Sequence, residues 1–154
     1  MLDITINKKD LDELNNKINR LVTNLSNYKK PIAGSLEVLE HEYERNFDQQ
    51  GYFYDPRRAW TPLKPVTKRQ RARLGFNAAR PILFRTGKLK NNTRKIVGKV
   101  KGEFKNESEI AKYHQMGTEH MPARRIMGVT NRSAKAIGLV FGNYIADQLK
   151  KLFK

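Results

Sequence analysis

Apolar residues recur at helical spacing at both ends of the chain and at strand spacing only briefly between them. Leu11, Leu14, Ile18, Leu21, Val22 and Leu25 fall three and four apart, with Asn and Lys opposite, which predicts an amphipathic helix. Asn7 is its candidate N-cap, and Asp10 and Asp12 suit the positive end of the helix dipole. After Asn27-Tyr28-Lys29-Lys30, the residues Ile32, Leu36, Leu39, Tyr43 and Phe47 repeat the pattern, with Pro31 in the first turn and Gly51 as the stop. Two such helices with a short link predict an antiparallel hairpin or one bent helix. A third stripe of Ala134, Ile137, Phe141, Tyr144, Ile145, Leu149 and Leu152 predicts a helix from about Arg132 to Phe153, with Lys150, Lys151 and Lys154 at its negative end.

Between these helices the pattern is weaker. Pro56, Pro62, Pro65 and Pro81 punctuate a loop-like stretch from Tyr52 to Pro81, with one helical piece over Thr67–Leu74. Ile96, Val97, Val100 and Phe104 predict a β-hairpin over Thr93–Phe104 with its turn at Lys101-Gly102. A short helix Ser108–Met116, capped by Ser108 and stopped by Gly117, and a short strand Arg125–Val129 complete the list. The sum is a single α+β domain over 1–154: a helical hairpin (1–50), a long basic loop region (51–92), a small antiparallel sheet with a short helix and strand (93–130), and a C-terminal helix (131–154).

A length of 154 residues suits one domain with a real core. The richest apolar run, Ile137 to Phe141, is far short of the ~20 residues a bilayer span needs, so no membrane partner is expected. The N-terminus lacks the basic and apolar regions of a secretory signal. Absence of cysteine excludes disulfides and thiolate metal sites. The formal charge is +16, which predicts an acidic partner, nucleic acid being the commonest.

That charge is local. Residues 1–56 hold seven basic and ten acidic groups, residues 57–102 fifteen basic and no acidic, and residues 103–154 nine basic and five acidic. The middle window alone has the composition of a solvated arm. It also contains Trp60, Leu63, Leu74, Phe76, Ile82, Leu83, Phe84 and Leu89, which gain from burial. A basic segment tethered at intervals by apolar anchors is therefore expected. Its candidate contacts to DNA or an acidic partner are Arg57, Arg58, Lys64, Lys68, Arg69, Arg71, Arg73, Arg80, Arg85 and Lys88.

Catalytic patterns are missing. His114 and His120 stand six apart around Gly117 with Glu119 nearby and no third ligand, so they read as solvated or hydrogen-bonded histidines. Neither a Gly-x-Ser-x-Gly elbow nor a Walker loop occurs, and Glu40 and Glu44 read as surface decoration of a helix. No catalytic residue, metal or cofactor is expected. The basic segment matches no base-reading module, so nucleic-acid contact would be non-specific.

Taken in order, the motifs of residues 60–128 resemble the phage virion morphogenesis proteins (tail-completion, neck) of tailed bacteriophages. The matching text is Trp60-Thr-Pro-Leu63 with Lys64-Pro-Val-Thr67 and a basic run, then Arg85-Thr86-Gly87-Lys88-Leu89, then a strand pair. Ala111-Lys-Tyr-His114-Gln115-Met-Gly117 and Met121-Pro122-Ala123-Arg124-Arg-Ile-Met-Gly128 follow. Arg85 and Arg125 depart from the family pattern, and both add positive charge. The motif residues Trp60, Leu63, Thr86, Gly87, Leu89, His114, Gln115, Gly117, Pro122, Ala123 and Arg124 read physically as fold-defining. The resemblance implies a non-catalytic virion component, assembled in the bacterial host cytoplasm and acting at the head–tail junction. It implies a homo-oligomeric ring that meets other neck, connector or tail proteins, with the basic loop facing packaged DNA or an acidic neighbouring ring. The alternative is a non-specific nucleic-acid-binding protein using residues 57–101.

Overall fold

The computed structural model describes residues 7–51, 59–78 and 81–152. Their elements run α1 (Lys8–Leu25), α2 (Lys29–Asp48), α3 (Pro65–Arg73), α4 (Lys88–Asn91), β1 (Thr93–Val97), β2 (Gly102–Asn106), α5 (Ala111–Met116) and α6 (Asn131–Leu152). The fold is the expected α+β arrangement, with helices at both ends and one two-stranded antiparallel sheet.

α2 organises the molecule. It packs against α6 and against both strands. Its inner face places Tyr43 and Phe47 in a core with Trp60, Ile82, Leu83, Leu89, Ala111 and Ile126. Tyr43 meets Phe47 and Phe104 at ring-centroid distances of 4.9 and 5.5 Å. The Tyr43 hydroxyl accepts from Asn106 Nδ2 at 2.8 Å and faces the Leu89 and Lys90 carbonyls at 3.1 Å, tying α2 to the entry of β1. Burial pushes the Tyr43 pKa up to about 12, so the phenol stays a donor.

The end helices form as their stripes predict. Asn7 caps α1 through Oδ1, which accepts from the Asp10 N–H at 2.9 Å. α1 lies against α6, where the Tyr144 hydroxyl reaches the Asn24 and Asn27 carbonyls at 2.9 and 3.0 Å. This packing covers α1 only in part: Leu11 and Leu14 remain 48% and 49% exposed. α6 begins with a reciprocal cap, since Thr130 Oγ1 accepts from the Ser133 N–H and Ser133 Oγ from the Thr130 N–H. Glu42 of α2 accepts the Thr130 hydroxyl at 3.1 Å and adds negative charge at that helix start.

Local expectations shift between the ends. The hairpin turn spans 98–101, closed by the Gly98 N–H to the Lys101 carbonyl at 2.7 Å, and not Lys101-Gly102. Gly102 belongs to β2, paired with Val97. It is glycine because a Cβ there would run into Ile32 Cγ2 of α2. Ser108 does not cap α5, which starts at Ala111 after a turn closed by the Ala111 N–H to the Ser108 carbonyl. Residues 125–129 form no strand, because side chains from other elements take their backbone groups.

Candidate functional site

The basic stretch is held from within. Trp60 is 2% exposed, its ring set edge-on to Phe47 at 5.3 Å, and its Nε1–H donates to the Arg125 carbonyl at 3.0 Å. Gln50, at φ 55°, presents its carbonyl to the Trp60 N–H and its side chain to the Ile82 N–H. Leu63 packs against the core, and Ile82, Leu83 and Leu89 enter it. Leu74 and Phe84 stay out, at 55% and 40% exposure. Pro65 opens α3 at a position where its missing N–H costs nothing. Gly87, at φ 80°, makes the turn into α4.

Residues 114–127 form the facing wall. Gly117 ends α5 at φ 78°, and the chain doubles back so that the Arg124 N–H donates to the His114 carbonyl at 2.6 Å. Gln115 does not bond the last carbonyls of its own helix. Its Oε1 accepts from the Ile126 and Met127 N–H groups at 2.9 and 3.0 Å, and its Nε2 donates to the Met127 carbonyl at 2.8 Å. Asn46, fully buried on α2, donates to the Arg125 and Ile126 carbonyls. Arg124 points inward, to the Thr61 and Pro62 carbonyls at 2.9 and 3.3 Å. The two motif blocks therefore lock each other, Trp60 to Arg125 and Arg124 to Thr61. Asn46 and Gln50 escape sequence reading as site residues, although both follow the inner stripe of α2 at helical spacing.

Between the two walls lies a groove of about 760 Å³. Leu63, Thr86, Gly87, Leu89, His114, Pro122 and Arg124 of the motif set line it, beside the cations Lys64, Arg71, Arg85 and Lys88. Ala123 stands next to Gly117, where a Cβ on that glycine would meet its backbone. Arg57, Arg58 and Arg80 lie outside the described residues. Lys68 is half-buried on α3, while Arg69 and Arg73 are exposed there and do not line the groove.

One cation expected as a partner contact is spent inside the fold. Arg71 is 5% exposed, and its terminal nitrogens donate to the Pro81, Ile82 and Phe84 carbonyls at 2.8–3.2 Å. It braces the loop before Thr86 and leaves the set of surface contacts. Burial, with Arg85 adding to it, lowers its pKa.

The charge of the middle window divides in two. Beyond the groove, Lys90 pairs with Asp48 at 2.9 Å, Lys95 with Glu40, Arg94 with Glu107, and Lys101 with Glu103 at 2.6 Å. At the groove and on α3, the cations Lys64, Lys68, Arg69, Arg71, Arg73, Arg85 and Lys88 have no carboxylate within 4.0 Å among the described residues. Four of the window's fifteen cations are thus met by carboxylates of α2, of β2 and of Glu107 just after it, and the unpaired ones at the groove and on α3 form a cluster, with Lys99 apart in the hairpin turn.

Burial, with the Arg124 charge adding to it, pushes the His114 pKa below its ordinary 6.5. The unfolded chain then binds this proton more tightly than the folded one. His114 contributes its stability in full above pH 6.5, and that contribution is lost as pH falls through the folded pKa. Thermal unfolding from about pH 8 to about pH 5 is expected to show a falling Tm, shallower in a His114→Gln variant. Equal slopes in the two proteins would exclude His114 as the source.

Among the described residues no helix is long and apolar enough to cross a membrane. No curated protein and no solved structure matches the chain. The family model described as the phage virion morphogenesis family matches residues 9–146, from the first turn of α1 to the last turns of α6. With the match spanning both interlocked motif blocks and most of the chain, this protein belongs to the phage virion morphogenesis family, a structural and assembly family of bacteriophage virions.

Proposed function

We propose that the chain is a neck or tail-completion component, joining the capsid connector to the tail without catalytic turnover. The observation that carries this reading is the cluster of unpaired cations at the groove and on α3, next to the interlocked motif blocks. In the proposal, like copies close into a ring through heterologous contacts, and the half-covered apolar stripe of α1 supplies a surface for them. The ring multiplies the basic side by its copy number and turns it toward packaged DNA or an acidic neighbouring ring. Electron microscopy of lysates from phage lacking the gene is expected to show full heads and tails unjoined, or tails with abnormal ends. Normal infectious particles would overturn the reading.

The exposed Arg69 and Arg73 on α3 favour a second reading, non-specific nucleic-acid binding through residues 57–101. Its reach is smaller than the sequence suggests, since Arg71 is buried and Lys90, Arg94, Lys95 and Lys101 face carboxylates. Affinity for duplex DNA would then fall with salt at a log–log slope of roughly −0.9 per phosphate contacted, and absence of binding at ~50 mM salt would remove it.

A further inference from the structure

We infer that the groove between α3 and α5 is a docking site for an acidic, partly apolar segment of a neighbouring protein. This rests on the assembly role proposed above and adds the chemistry of the partner.

The lining has two characters. Lys64, Arg85 and Lys88 are exposed cations at the groove with no carboxylate within 4.0 Å among the described residues. Beneath them the half-buried Leu63 and the edges of the core residues Ile82, Leu83 and Leu89 form an apolar floor, continued by the exposed Ile110 and by Met121. Glu107, one of two carboxylates there, is already engaged by Arg94 and Lys105 at 3.5 and 3.2 Å. Arg71 adds a buried charge, and its Nε–H is shut off from solvent with no acceptor among the described residues.

The same features weigh against nucleic acid as the occupant. Duplex DNA makes its non-specific contacts through phosphates and gains nothing from an apolar floor. Single strands gain from stacking on aromatic rings, and among the described residues no Phe, Tyr or Trp lines the groove. A peptide alternating carboxylates with aliphatic side chains meets both needs at once. The carboxylates face Lys64, Arg85 and Lys88, and the aliphatic groups cover the floor.

The test uses the full chain and a fluorescent peptide of alternating glutamate and leucine, with a lysine–leucine peptide and a duplex of mixed sequence as comparators. Anisotropy is expected to detect the acidic peptide and not the basic one. Amide NMR shifts are expected to cluster at Thr86, Ile110 and Met121. A Lys64→Glu/Arg85→Glu variant is expected to weaken binding by roughly tenfold or more while its Tm holds, because both side chains are exposed. An Arg69→Glu/Arg73→Glu variant, altered outside the groove, is expected to lose far less. Acidic-peptide shifts confined to α3's outer side, DNA shifts mapping into the groove, or no binding would each overturn the inference. The two proposals fail separately. Phage carrying the Lys64→Glu/Arg85→Glu protein and building normal particles, when phage lacking the gene do not, would refute the groove and leave the neck role standing. Joined, infectious particles without the gene would refute the neck role.

Discussion

Replacing Trp60 by alanine is expected to cost about 3–5 kcal/mol of folding stability, among the largest losses a single core truncation causes. The indole is 2% exposed and touches the core from a segment that has little other regular structure to hold it. Its removal leaves a cavity against Phe47 and also frees the Arg125 carbonyl from its Nε1–H partner. Urea unfolding should report the loss directly, and for a domain of this size Tm should fall by about 6–20 °C. Trp60→Phe keeps a ring against Phe47 and loses the hydrogen bond, so a smaller loss of about 1–3 kcal/mol is expected. A Trp60→Ala protein within ~1 kcal/mol of the parent would mean the anchor is not one.

Gly117→Ala is expected to be nearly as damaging although it adds a single carbon. Gly117 combines φ 78° with ψ 176°, a region essentially closed to side-chain-bearing residues. A Cβ there would sit 2.8 Å from the Ala123 N and 3.0 Å from the Met121 carbonyl oxygen. Neither neighbour can retreat cheaply, because the Thr118 N–H is bonded to that same Met121 carbonyl and Arg124 to His114. Backbone strain of order 1–3 kcal/mol plus the displaced turn gives an expected loss of about 3 kcal/mol. Gly142→Ala is the control. It lies within α6 with nothing inside 4 Å of the added carbon, and it should stabilise by up to about 1 kcal/mol. Equal effects at the two glycines would contradict the turn geometry.

The fold was legible where burial follows one helix face. The stripes of α1, α2 and α6, the Asn7 cap and the glycine stops at Gly51 and Gly117 all depend on neighbours three or four residues away. Reading failed where a distant element decides. Gly102 looks like half of a turn, yet its place in β2 is set by Ile32 lying against it. Ile126 and Val129 have strand propensity, but Gln115, Asn46 and Trp60 take the backbone groups a neighbouring strand would need. Arg71 reads as one more surface cation in an acid-free run, and only the fold shows it turned onto three carbonyls. The motif residues are legible in the sequence without their geometry. Their common purpose, locking residues 60–63 to 114–127 around a groove, depends on side chains some sixty positions apart in sequence.

The same long-range contacts divide the fifteen positive charges of residues 57–102, which the sequence leaves uninterrupted by any acid. Carboxylates of α2, of β2 and of Glu107 just after it neutralise Lys90, Arg94, Lys95 and Lys101. Among the described residues, Lys64, Lys68, Arg69, Arg73, Arg85 and Lys88 remain unpaired at the groove and on α3, and the proposed junction contact follows from them.

The most direct test is the chain's position in the particle. Purified virions carrying a tagged copy of the protein, labelled with gold and imaged by electron microscopy, are predicted to bear gold at the junction of head and tail. Label spread along the tail or over the capsid, or virions with no label at all, would contradict the account.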